Sequence, residues 1–184
     1  MELEGQHAFL SPSQSAWINY TPDKLAERYY NVMVASLRGT RLHAYASEAI
    51  KLGIKQKSTN RTLNCFINDA IGFKMESELI LKYSENCFGT ADAISFRKNK
   101  LRIHDLKTGV TPAHMTQLEV YAALFCLEYD QNPADIEMEL RIYQNDEIII
   151  HIPEAERIIF IMNTIKAHDR IIENINNEEL FRYE

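Results

Sequence analysis

The stretch that decides the fold is Met75–Lys107, MESELILKYSENCFGTADAISFRKNKLRIHDLK. Its alternating, β-branched and aromatic residues predict three strands, Met75–Tyr83, Phe88–Arg97 and Leu101–Lys107. Turns at Ser84-Glu85-Asn86 and Lys98-Asn99-Lys100 join them. Turns this short make neighbouring strands antiparallel, so the segment is a meander. Side chains on a strand alternate between faces, so Asp105 and Lys107 project together, an acid beside an ammonium. By the same rule Glu76 and Glu78 share a face, and direction alone does not separate them.

Downstream, Thr111-Pro112 caps a helix predicted from Pro112 to about Tyr129, apolar through Leu118, Ala122, Phe125 and Cys126. Two strands follow, Asp135–Tyr143 and Ile148–Ile152, with a turn at Asn145-Asp146. Pro153 opens a closing helix to about Asn176, with Ile158, Ile161, Ile165 and Ile172 as its buried stripe and a frayed polar tail after Asn177. Upstream, Ser11-Pro12-Ser13-Gln14 and Thr21-Pro22-Asp23 are two helix starts. The first should lead into a short helix with Trp17, the second into one with Leu25, Tyr29 and Val32 on one side. Further helices are expected over Ser36–Leu52, stopped by Gly53, and over Asn60–Ile71. The pattern is that of an α/β fold with a central mixed sheet, an antiparallel meander plus further strands, flanked by helices. One domain over 1–184 is expected: a helical wall at 1–73, a sheet core at 74–152 holding the 112–129 helix, and a C-terminal helix and tail at 153–184.

The chain has 184 residues and a formal net charge of −6, which argues against a whole-surface nucleic-acid binder. The charge is unevenly spread, however: Arg38, Arg41, Lys51, Lys55, Lys57 and Arg61 face a single acid, Glu48, in that part of the chain. Arg38 and Arg41 are candidates for a basic DNA-facing patch. The three cysteines, Cys65, Cys87 and Cys126, show no metal-ribbon spacing and are read as buried thiols. There is no run of some eighteen apolar residues for a membrane span, and the N-terminus is acidic where an export signal would be basic. A cytoplasmic protein is expected.

Chemistry concentrates on Asp92, Asp105 and Lys107. Carboxylates from neighbouring strands can converge on one hard cation such as Mg²⁺. Such an ion polarises a phosphoryl oxygen and lowers the pKa of bound water, while Lys107 could orient that water or neutralise charge. Metal-dependent phosphodiester hydrolysis fits this trio. A plain reading stands beside it, because Asp105 and Lys107 could be a solvent-facing pair worth under ~1 kcal/mol. Yet both share a face with Leu101 and Ile103, which places them on a partly buried surface.

An acid at Glu76 or Glu78, then Gly89-x-x-Asp92, Asp105-x-Lys107 and a helix with Gln117-x-x-x-Tyr121, resembles the PD-(D/E)XK nuclease superfamily. The likeness is to its RecB-like, phage exonuclease-type branch. Gly39-x-x-x-His43 reproduces the upstream histidine of that branch, and Leu10-Ser11-Pro12-Ser13 with Gly89-Thr90-Ala91-Asp92 is similar to its phage-associated members. The resemblance runs from about Leu10 to Tyr129. It implies a restriction-endonuclease-like core and a Mg²⁺- or Mn²⁺-dependent DNA exonuclease of recombination, repair or phage DNA processing, in a bacterial or phage-infected cell. It further implies Asp92 and Asp105 as metal ligands, with His43 and the Leu106 carbonyl added, and Lys107 as the catalytic lysine. Gln117 and Tyr121 would lie near DNA. For the remaining acid, Glu76 is preferred by its distance from Gly89. The proline that names the family is Ala91 here, and only Cys126 lies beyond Gln117, so no iron–sulfur cluster is expected. DNA is the implied partner, with a recombinase or single-strand annealing protein and a homo-oligomer as further expectations. The rival readings are a catalytically inactive DNA-binding or assembly module, and a buried ion network with no activity.

Overall fold

The computed structural model describes residues 9–10, 16, 18–109 and 111–181, with side chains of the last helix described as far as residue 177. The helix start at Ser11-Pro12-Ser13-Gln14 and the Trp17 helix lie outside the described residues. The chain divides into two compact units, Met1–Leu42 and His43–Glu184. Thr21 caps helix α1 (Pro22–Tyr29), accepting a hydrogen bond from the Lys24 amide at 3.3 Å. Separate helices were expected from Thr21 and from Ser36, but the chain stays helical through a π-helical stretch, Tyr30–Val34, into α2 (Ala35–Leu52). Between Asp23 and Arg38 there is neither Gly nor Pro to stop it. Gly53, at φ 68°, ends α2 where a left-handed residue is needed.

Helix α3 (Thr62–Gly72) precedes the meander β1 (Glu76–Ser84), β2 (Cys87–Arg97) and β3 (Lys100–Leu106). Helix α4 (Thr116–Glu128) then carries the chain over the sheet to β4 (Glu137–Gln144), which pairs parallel to β3. A parallel neighbour needs such a crossover, so α4 is what makes the sheet mixed. Antiparallel β5 (Glu147–His151) and helix α5 (Ala155–Phe181) complete a five-stranded sheet in the order β1-β2-β3-β4-β5. The α/β class with a mixed sheet between helices is as the sequence predicts.

Most element boundaries fall within a residue or two of expectation, and two helix ends differ by more. Helix α4 begins at Thr116 rather than Pro112, because Gln144 holds the preceding segment extended. Its Nε2 donates to the Thr111 carbonyl at 2.8 Å and its Oε1 accepts from the Ala113 amide at 3.1 Å. Helix α5 runs on to Phe181, past the predicted end at Asn176.

Each face of the sheet covers a core. Leu101, Ile103, Leu140 and Ile142 pack with Leu118, Ala122 and Phe125 of α4 and with Ile158 and Ile161 of α5. On the other face Ala93, Leu106 and Tyr143 meet Phe66, Ile67 and Ala70 of α3 and Ala46, Ala49 and Ile50 of α2. Helix α4 lies between sheet and α5, so it is apolar nearly all round. Among the described residues no helix is long and apolar enough to cross a membrane.

Candidate metal and phosphate site

The site lies where β2 and β3 stop pairing. Their ladder ends at Ala93 opposite His104, and beyond it the Leu106 amide donates to Asp92 Oδ2 at 2.8 Å instead of to a β2 carbonyl. This hydrogen bond fixes the Asp92 carboxylate at the strand ends. The Lys107 amide in turn donates to the Tyr143 carbonyl at 2.9 Å, so β4 holds the chain beyond β3 in extension.

Three residues from three elements meet there. His43 of α2 brings Nδ1 to 3.3 Å from Asp92 Oδ1. Glu78 of β1 joins them, and one potential ligand atom from each of His43, Glu78 and Asp92 lies within 4.8 Å of the others. Together they could hold a metal ion. The β1 glutamate near His43 and Asp92 is Glu78 and not the Glu76 preferred from the sequence. The two do not share a face: Glu76 lines a hollow with Leu79, Ile94, Phe96, Phe125 and Tyr129. The physical reason is the backbone of Glu78, whose φ of 55° lies in the left-handed region. A residue there breaks the two-residue alternation. Ser77, hydrogen-bonded to Ser47 of α2 at 3.0 Å, and Glu78, beside His43 of the same helix, thus stand next to each other on one side.

Asp105 and Lys107 form the second half. Asp105 is 5% exposed, and its Oδ1 accepts from Lys107 Nζ at 3.1 Å. Its other oxygen, also buried, is ion-paired to the same ammonium at 3.0 Å. Lys107 Nζ also donates to Gln117 Oε1 at 2.7 Å, which sets the lysine between β3 and α4. Tyr121, one turn along α4, donates to the Thr90 carbonyl at 2.7 Å. Its ring lies so close to Gly89 that a Cβ there would stand 2.9 Å from Tyr121 Cε1. Gly89 is thus required by close approach, and Gln117 and Tyr121 both brace the site.

The electrostatics are those of carboxylates crowded together. Burial, then the charge of Asp92, raises Asp105 above the usual carboxylate range, with Lys107 opposing. Burial and Asp92 likewise raise Glu78, opposed by His43 and Lys51. The hydrogen bond to Asp92 raises His43, burial opposes, and the charges of Asp92, Asp105 and Glu78 add to the rise. Like charges that raise one another are relieved by a cation.

Of the expected site residues, the structure groups His43, Asp92, Asp105, Leu106, Lys107, Gln117 and Tyr121, and leaves Glu76 apart. Arg38 and Arg41 belong to the first unit, where both are exposed. Sequence reasoning missed the part played by Tyr143, whose signal lay only in the parallel pairing of β4 with β3. His104 is buried with its ring against Phe73 and Tyr143. Cys126 is buried, while Cys65 and Cys87 are half-buried, and all three are free thiols. No protein-family model, no curated protein and no solved structure matches this chain.

Proposed function

We propose that the protein is a metal-dependent deoxyribonuclease, acting as an exonuclease on phosphodiester bonds. One observation carries the reading: a His43–Glu78–Asp92 ligand group stands at the same strand ends as a buried Asp105 that holds Lys107. A divalent ion bound there supplies a polarised phosphoryl oxygen and a water of lowered pKa. His43, Glu78 and Asp92 hold that ion, with the Leu106 carbonyl as a further candidate ligand. Lys107 neutralises charge on the phosphate as the attacking water adds in line, and the 3′ oxygen leaves. Asp105 holds Lys107 through both carboxylate oxygens and is a further candidate ligand. Gln117 keeps the ammonium from swinging away.

The donor set also bears on the choice of ion. Mg²⁺ demands oxygen ligands, whereas Mn²⁺ accepts an imidazole nitrogen more readily, so Mn²⁺ is expected to bind and support activity better. Because His43 must lose a proton to act as ligand, its raised pKa makes metal affinity fall as pH drops through and below that value.

The test uses end-labelled single- and double-stranded DNA with Mn²⁺, Mg²⁺ or EDTA, beside Asp92→Asn, Asp105→Asn and Lys107→Ala variants shown to be folded by circular dichroism. Metal-dependent cleavage is expected, with each variant slowed about a hundredfold or more. If no substrate is cut under any metal, the nuclease reading fails and a non-catalytic DNA-binding or assembly module takes its place. If the variants cut as well as the parent chain, the activity lies elsewhere.

A further inference from the structure

Strand β5 ends the sheet on the side away from the meander, and its composition is unusual for an edge. Its sequence is Glu147-Ile148-Ile149-Ile150-His151, followed by Ile152 and Pro153. Ile148, Ile149, Ile150 and Ile152 are 41%, 45%, 54% and 72% exposed. Sheet edges are usually blunted by charge, proline, bulges or cover, because a row of open amides and carbonyls templates pairing with another chain. The other edge has such devices: Glu78 in β1 is left-handed, Lys82 and Glu85 put charge on it, and the register shifts between Lys82 and Ser84. Among the described residues β5 has none of these within Ile148–Ile150, and its pairing with β4 is regular from Glu147 to His151.

We propose that β5 pairs antiparallel with β5 of a second copy of this chain, about a two-fold axis through Ile149. The strand is self-complementary around that residue. With Ile149 opposite itself, Ile148 meets Ile150 of the second copy, and Glu147 meets His151 of the second copy at both ends. Residues opposite one another on a ladder share a face, so the register with β4 fixes the sides. Glu147, Ile149 and His151 lie with Gln144, Ile142 and Leu140, on the side of the sheet where α4 packs. Ile148 and Ile150 lie with Tyr143 and Arg141, on the side of α3. An axis perpendicular to the sheet keeps both faces continuous across the junction. His151 already meets Glu119 of α4 at 3.2 Å, which holds its ring on the α4 side, where Glu147 of the second copy would arrive. Pro153 has no amide to donate, so the new ladder ends where the self-complementary segment ends. The isoleucine run supplies the apolar contact and the Glu147–His151 pairs set the register, which makes a second copy a closer match than an unrelated strand.

The test is sedimentation equilibrium of the full chain over a concentration series, with circular dichroism to verify folding. A monomer–dimer equilibrium is expected. Ile149→Lys, which sets two ammoniums together on the axis, is expected to weaken it at least tenfold while leaving the fold intact. Register is read by oxidative cross-linking. Directly opposed residues of an antiparallel pair are about 4.5–5.5 Å apart at Cα, within disulfide reach. Ile149→Cys should therefore cross-link to itself, and a mixture of Ile148→Cys with Ile150→Cys should cross-link more than either alone. The unsubstituted chain with its own cysteines is the control. A chain that stays monomeric at every concentration overturns the proposal and leaves the edge to a strand of another protein. A dimer that survives Ile149→Lys and fails to cross-link at Ile149 overturns it too, because another surface is then responsible.

Discussion

Glu78 has a backbone conformation that costs a non-glycine residue roughly 1–2 kcal/mol. That strain and the proposed metal-ligand role predict opposite effects of one substitution. Glu78→Gly should leave the protein as stable as the parent or more stable by up to about 1 kcal/mol in thermal denaturation. In calorimetric titration the same variant should lose at least about tenfold in Mn²⁺ affinity. Glu76→Gln, placed in the hollow beside Phe96, should leave that affinity unchanged. Gly89 gives a second residue-level prediction. A methyl group 2.9 Å from Tyr121 Cε1 must push the ring or the strand, so Gly89→Ala should cost about 1–3 kcal/mol. In a Tyr121→Ala background the cost should largely vanish, as a double-mutant cycle in urea would measure. Asp92, Asp105 and Lys107 were legible because a meander with short turns brings its strands together whatever surrounds it. Glu78 was not, because choosing it over Glu76 depends on a left-handed φ that no local pattern of residue types announces.

At the scale of the elements, α4 spaces the site and α3 seals the opposite face. Leu118 is fully buried between the sheet and α5, and Leu118→Ala should cost about 2–5 kcal/mol while Lys107 and Gln117 stay in reach of each other. On the α3 side Tyr143 donates to Asp69 Oδ2 at 2.7 Å, and Arg141 Nη1 joins the same oxygen at 3.0 Å. Tyr143→Phe leaves the buried ring in place and removes one hydrogen bond to a carboxylate, so a loss of about 1.5–3 kcal/mol is expected in chemical denaturation. Strand and helix identities were readable from period and punctuation. The start of α4 was not, since Thr111-Pro112 has the right residues for a cap but Gln144, on a strand far along the chain, takes the backbone groups a helix would need.

In the sheet-bearing unit, His104 makes an acid-sensitive contribution to stability. It is fully buried, and Tyr143 gives its hydroxyl proton to Asp69, so His104 Nδ1 at 3.2 Å is the donor to that hydroxyl and Nε2 is left buried without a partner. Burial first, and then Arg141, pushes the His104 pKa down from 6.5 to about 3, with Glu139 opposing. Between those values the unfolded chain binds a proton that the folded chain does not. Stability is therefore unaffected by this group above about pH 6.5 and falls as pH drops towards 3, by at most about 1.4 kcal/mol per pH unit. Compared by urea midpoints at pH 7 and pH 5, His104→Gln should lose less stability on acidification than the parent chain. The sequence by itself determined the α/β class, the antiparallel meander and the nearness of Asp92, Asp105 and Lys107, because these follow from local period, turn chemistry and chain connectivity. Only the tertiary structure decided that Glu78 rather than Glu76 stands beside His43 and Asp92, that Tyr143 holds the chain after β3, and that Tyr121 lies against Gly89. Those depend on one left-handed backbone angle and on contacts between residues distant along the chain, neither of which a periodic pattern encodes.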